Sequence, residues 1–142
     1  MLIWKQNTKE VMQNEKSLYK YLKQKLPQAH WQRFENAVGM GQPDVNVAYK
    51  EKEVWLELKC SNTVLLQPSQ NAWIHARGEH MKNVYVWQYH PGKKVHVLWK
   101  PPFRTAEQGR YVKVIGSDHV TESSSALVIF NYLFSLPLSS TE

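Results

Sequence analysis

One cysteine, Cys60, in 142 residues leaves nothing to pair with inside the chain. An internal disulfide is excluded, and a reducing, intracellular compartment is the expectation. No apolar run reaches the roughly 18 residues that a membrane span needs. The opening Met1-Leu2-Ile3-Trp4-Lys5-Gln6 also lacks the apolar core of a secretory signal, so a cytoplasmic protein with no membrane partner is expected. Negative charge is scarce as well. Eighteen Lys and Arg face twelve Asp and Glu, a formal charge of +6, which favours a polyanionic partner. There is no internal repeat, and the length suits one domain with one site.

Hydrophobic residues make up 42% and charged residues 21%, which argues for a folded globular chain over a disordered one. Six tryptophans are many for this length, and they suit either a core or a surface on which bases or a partner stack. Over 14–26 the apolar Leu18, Tyr21, Leu22 and Leu26 recur at helical spacing, with Lys16, Lys20, Lys23 and Lys25 on the remaining face and Pro27 as a stop. Residues 29–36 and 44–49 favour strands, broken by Gly39 and Gly41. The charged turn Lys50-Glu51-Lys52-Glu53 then returns the chain as a strand from Val54 to Cys60. These three strands are expected to form an antiparallel meander. A helix follows from Pro68 or Ser69 toward Met81, then strands at Val84 to Tyr89 and Val95 to Trp99 around the turn His90-Pro91-Gly92-Lys93. Beyond Pro101-Pro102 the pattern loosens, and Ala126 to Leu136 suits a helix or a strand, packed on the core or on a second subunit. The last residues are expected to fray.

Period-two alternation puts Glu57 and Lys59 on one face of their strand, with Leu56 and Leu58 turned into the packed side. Folding back about the charged turn brings Asp44 opposite roughly 58 to 60. Two carboxylates held that close repel unless a cation lies between them. Mg²⁺, or Mn²⁺, suits such a site, since it prefers carboxylate, carbonyl and water oxygens. Asp44 and Glu57 would be ligands, with the Leu58 carbonyl a third. Lys59 would orient a nucleophilic water or stabilise charge developing on a phosphate. Gly39-Met40-Gly41-Gln42, just ahead, would let the backbone come close to a phosphate at Gly41.

The run Gly41-Gln42-Pro43-Asp44, then Glu57-Leu58-Lys59, then Gln70 and Trp73 on the following helix, resembles the PD-(D/E)xK nuclease superfamily. Within it the chain is most similar to virus-type replication-repair nuclease (VRR-NUC) domains and the related Holliday junction resolvases, especially short phage-encoded forms. The resemblance covers about residues 14–99, with 100–142 a C-terminal extension. It implies an α/β fold of restriction-endonuclease type, an αβββαβ core whose central mixed sheet is flanked by helices. It further implies metal ligation by Asp44 and Glu57, a catalytic Lys59, and a supporting role for Gln70 at the start of its helix. An acid from the first helix is implied too, and Glu15 matches that position, with Glu35 its competitor.

Among the basic residues, Lys16, Lys20 and Lys23 read as a solvated helix face. Arg33 and Arg77 lie nearer the expected site and could touch DNA, as could Lys93 and Lys94 at a hairpin tip. Trp55 shares the face of Glu57, while Trp73, Trp87 and Trp99 suit core or interface. The histidines lack zinc-ligand spacing on a helix, and Cys60 reads as a small buried hydrophobe. The expected activity is Mg²⁺-dependent hydrolysis of DNA phosphodiesters, with branched DNA as substrate. Resolving a four-way junction needs two symmetric cuts and so a homodimer, for which the apolar Ile129, Phe130, Tyr132, Leu133 and Phe134 would serve as interface or core. The alternatives are a non-catalytic nucleic-acid-binding module on the same fold, or a repair or restriction-type endonuclease acting on duplex, flap or nicked DNA.

Overall fold

A computed structural model of the protein describes residues 12–34 and 41–134. Glu35, Gly39 and Met40 lie outside the described residues. Helix α1 (Glu15–Lys25) starts at Asn14, whose side chain accepts from the Ser17 N–H while the Ser17 hydroxyl accepts from the Asn14 N–H. This reciprocal cap satisfies two of the amides that a helix start leaves over. Leu18 and Leu22 are its buried residues, as the spacing requires.

Strands β1 (His30–Arg33), β2 (Val45–Tyr49) and β3 (Lys52–Cys60) form the antiparallel meander. The β2–β3 turn is the two-residue pair Lys50-Glu51, both at positive φ (48° and 68°), the twist that a tight hairpin demands. A short β4 (Val64–Leu66) and helix α2 (Pro68–His80) follow. Then come β5 (Val84–His90), β6 (Val95–Gln108), β7 (Tyr111–Ser123) and helix α3 (Ala126–Leu133).

The seven strands make one mixed sheet in the order β1-β2-β3-β5-β6-β7-β4, parallel only between β3 and β5. The α/β class with helices flanking a mixed sheet therefore holds. One face carries α1 and α3 over Val45, Val47, Leu56, Leu58 and Trp87. The other carries α2, through Ile74, over Val64, Val86, Phe103 and Val114. Leu56 and Leu58 are both fully buried. At roughly 2 kcal/mol for each buried leucine, a one-residue slip of β3 would be prohibitive. That cost fixes the direction in which Glu57 and Lys59 point.

Residues beyond Pro101-Pro102 depart from expectation. β6 runs through the prolines, and β6 and β7 are the longest strands described. The ladder shifts register between Lys100 and Phe103 and again between Arg104 and Thr105. Proline has no amide to give to a ladder, and an irregularity absorbs the loss. In α3 Ile129, Phe130 and Leu133, and Phe134 at its end, are buried within the fold, leaving Leu127 and Tyr132 exposed. Core packing accounts for the four, which are not an open interface. Among the described residues, no helix is long and apolar enough to cross a membrane.

Candidate active site

β3 outruns β2. The first residue of β2, Val45, pairs with Leu56, so β3 has no β2 partner beyond that point. Continuing the register by one places Asp44 across from Glu57, slightly nearer the turn than residues 58 to 60. Leu58 and Cys60 share the parity of Leu56, and their N–H groups point to the side that β2 has vacated. Two carboxylates meet them. Asp44 Oδ1 accepts from the Leu58 N–H at 3.4 Å, and Glu15 Oε2, from the first turn of α1, accepts from the Cys60 N–H at 3.2 Å. The requirement that buried amides find partners thus draws two acids to one sheet edge. The Leu58 carbonyl shares that edge, since both polar groups of a strand residue point the same way.

Glu57 itself lies on the α2 face and is 5% exposed. Its Oε2 accepts from Gln70 Nε2 at 2.9 Å and has the Lys59 ammonium at 3.6 Å. Oε1 is buried and has no hydrogen-bond partner among the described residues. Gln70 is held at its other end, where Oε1 accepts from the Gln67 N–H at 2.9 Å and caps α2. Glutamine at the fourth position of a helix start is a known partner for the N-cap amide, but Gln67 lacks the short oxygen-bearing side chain that would make the sequence signal plain.

Burial is the main force on both acids. It pushes Glu57 up to about 7, reinforced by the negative charge of Asp44 and weakly by that of Glu15, and opposed by Lys59. Asp44 is also raised by burial, against the pull of its bond to Leu58 and of the charges of Arg33 and Lys59. Arg33 Nε stands 3.9 Å from Asp44 Oδ2. Glu57 is therefore a carboxyl shared between charged and neutral forms near neutrality, with one oxygen unused.

The other sequence candidates fall in several places. Gly41, at φ +84°, does make a close approach, but to protein. A Cβ there would collide with the Ser69 carbonyl and lie 3.2 Å from the Gln70 nitrogen. The glycine thus seats the Asp44 loop against the first turn of α2. Arg77 lies 4.6 Å over the Trp73 ring, which meets Trp55 edge-on, and Trp55 stacks on Phe34. That row flanks the Glu57 face. Lys93 and Lys94 occupy the β5–β6 turn, and Lys93 lines a groove with Gln88, the cross-strand neighbour of Lys59.

Cys60 is half-buried, its thiol donating to the Met12 carbonyl at 3.1 Å and pushed up in pKa by burial. His96 is buried, accepts from Trp87 Nε1 at 3.0 Å and is held down to about 4 by burial. His75 bridges Asn71 and Phe103. Both are structural.

Asp44, Glu57 and Glu15 do not converge as a three-acid cluster, and among the described residues no group of three or more His, Cys, Asp or Glu does. The donor set suits Mg²⁺ nonetheless, because that ion is commonly held by one or two carboxylates and keeps several waters. The unpartnered Glu57 Oε1 fits a cation. Comparison of the chain with protein-family models, with curated proteins and with solved structures finds no match.

Proposed function

We propose that the protein is a metal-dependent endonuclease that hydrolyses DNA phosphodiesters, on a restriction-endonuclease-like αβββαβ core, with branched DNA as its substrate. The observation that carries this reading is the buried Glu57, raised to about 7, with one oxygen held by Gln70 and Lys59 and the other vacant, and with Asp44 across from it. A buried acid with an unused oxygen is a cost to the fold, and such costs gather at functional sites. A solvated ion pair would show neither the burial nor the vacancy. The order of elements from α1 to β5, with only the short β4 inserted, supports the proposed core.

Asp44 and Glu57, with the Leu58 carbonyl, would hold the ion. Bound Mg²⁺ or Mn²⁺ would polarise the phosphodiester and make water more acidic. Gln70 keeps Glu57 oriented through Oε2, which leaves Oε1 for an ion. Lys59 places its ammonium where negative charge gathers as a water oxygen bonds to phosphorus, the P–O bond to the leaving strand breaks and the leaving oxygen takes up a proton. Glu15, fixed on the Cys60 amide, adds to the negative field at Glu57. The basic charge balance supports a polyanionic substrate. The junction reading requires two copies of the site, and the exposed Leu127 and Tyr132 are apolar surface available to a second copy.

The test is cleavage of labelled four-way junction, flap and linear duplex with Mg²⁺, Mn²⁺ or EDTA, beside Glu57→Ala and Lys59→Ala. Paired symmetric nicks in the junction, lost in EDTA and in both variants, are expected. Cutting that survives EDTA sinks the metal mechanism. Efficient cutting of linear duplex points to a repair or restriction enzyme, and binding without cutting to an inert module.

A further inference from the structure

Lys16, Lys20 and Lys23 follow one another at intervals of four and three residues on α1. They form one stripe, with rises of about 6 and 4.5 Å between successive ammonium-bearing positions. With Tyr19 and Arg33 this stripe lines an open cleft of about 550 Å³. Tyr19 is braced edge-on by Trp31 at 6.3 Å, and its ring carries the Lys23 ammonium and the Arg33 guanidinium, each 5.9 Å from the centroid. Asn14 and Ser17 also line the cleft, with Asn14 Oδ1 and Ser17 Oγ engaged in the helix cap. Among the described residues lining it, none is acidic. The groove on the α2 side differs, since Glu122 stands there among Lys93 and Lys113.

Arg33 has Asp44 as a counter-charge, but Lys16, Lys20 and Lys23 have no ion-pair partner among the described residues and repel one another until an anion arrives. The stripe spans about 10 Å, too long for one phosphate and suited to a series of them. One end is tied to the candidate active site, because Arg33 lies in the cleft and also 3.9 Å from Asp44, with its buried Nε unpartnered by any hydrogen bond among the described residues.

We infer that this cleft binds the phosphodiester backbone of a DNA strand and leads it past Arg33 to Asp44 and Glu57. The direction of travel rests on the nuclease reading, whereas the binding does not. Lys16, Lys20 and Lys23 are all exposed, so replacing them spares the core.

The test measures fluorescence anisotropy of labelled single-stranded and duplex DNA in EDTA, across a salt series. It compares the triple variant Lys16→Gln, Lys20→Gln, Lys23→Gln with a charge-matched control, Lys50→Gln, Lys82→Gln, Arg110→Gln, whose residues do not line the cleft. Circular dichroism checks that both fold. The cleft variant is expected to lose about tenfold or more in affinity near 0.1 M salt, with the log–log salt slope shallower by about 2 to 3, and the control to lose far less. Equal losses in the two triples, an unchanged cleft variant, or no DNA binding by the parent protein would each overturn the inference. Cleavage assays separate the two ideas. Metal-dependent cutting with unaltered binding by the cleft variant leaves the nuclease standing without the cleft, and selective loss of binding without any cutting does the reverse.

Discussion

Gln70 is bound to Glu57 through Nε2···Oε2 at 2.9 Å, and the same amide caps its own helix through Oε1 on the Gln67 N–H. Fold and site therefore share one side chain. Gln70→Glu retains an acceptor for the cap, loses the donor to Glu57 and adds a negative charge beside it. Gln70→Leu loses both bonds. Loss of the cap should cost Gln70→Leu about 1 kcal/mol in denaturant unfolding, more than Gln70→Glu loses from the cap. Cleavage should fall roughly 10- to 100-fold in both, as when a partner that orients a metal ligand is removed. Full activity in Gln70→Glu would show that the bond to Glu57 is incidental.

The raised Glu57 makes stability depend on pH in an unusual direction. Between its ordinary 4.5 and about 7 the folded chain keeps a proton that the unfolded chain has released. Its contribution is thus greatest below 4.5 and is lost as pH rises through 7, in all about 3 kcal/mol. His96 works oppositely. Held neutral down to about 4 against an ordinary 6.5, it costs stability as pH falls across that interval. The comparison that isolates Glu57 is Glu57→Gln against the parent protein, without divalent ions, since His96 is common to both. The parent should lose ground to the variant from pH 5 to about 7 in urea unfolding and level off above that. Parallel curves would show that Glu57 ionises normally.

Gly41 and Gly109 form a matched pair. Both sit at positive φ, +84° and +63°, but a Cβ at 109 meets nothing within 4 Å, whereas at 41 it collides with the Ser69 carbonyl. Gly109→Ala should cost about 1 kcal/mol, from the backbone alone. Gly41→Ala adds the collision and should cost 2 kcal/mol or more. It should also depress cleavage, because relief of the clash parts the loop bearing Asp44 from the helix bearing Gln70. Equal thermal shifts for the two variants would contradict the close packing.

The β2–β3 hairpin was legible because Val45, Val47 and Tyr49 alternate and a charged turn follows, and the faces of Glu57 and Lys59 came with it. Helix α1 was legible from Leu18, Leu22 and Leu26. The β6–β7 hairpin was hidden. Pro101-Pro102 reads as a stop, and the outer part of β6, from Arg104 to Gln108, is exposed, so no buried face imposes a pattern on it. Val64–Leu66 is too short to announce a strand without its partner Val112–Val114, nearly fifty residues on. The sequence shows the freedom of Gly41 but not what it approaches, because Ser69 is distant in sequence and meets it only in the folded chain. Likewise Lys16, Lys20 and Lys23 read as solvated until Arg33 on another element is seen beside them.

A proton and a cation should compete for Glu57. Below about 7 the carboxyl must give up its proton before its vacant oxygen can serve a metal, so binding has to release protons. Titration calorimetry with Mg²⁺ or Mn²⁺, without DNA, should show affinity rising by up to about tenfold per pH unit below 7 and levelling above it. Repeating the titration in buffers of different ionisation enthalpy counts the protons, which should approach one from Glu57 at pH 6 and vanish by pH 8.5. Asp44, also raised, can only add in the same direction. Glu57→Gln should bind more weakly and lose most of the pH dependence, while Lys59→Met should still bind but fail to cleave, since its ammonium serves the substrate. Ion binding that does not change with pH, or is unaltered in Glu57→Gln, would place the metal elsewhere and leave Glu57 a buried acid with no ion to hold.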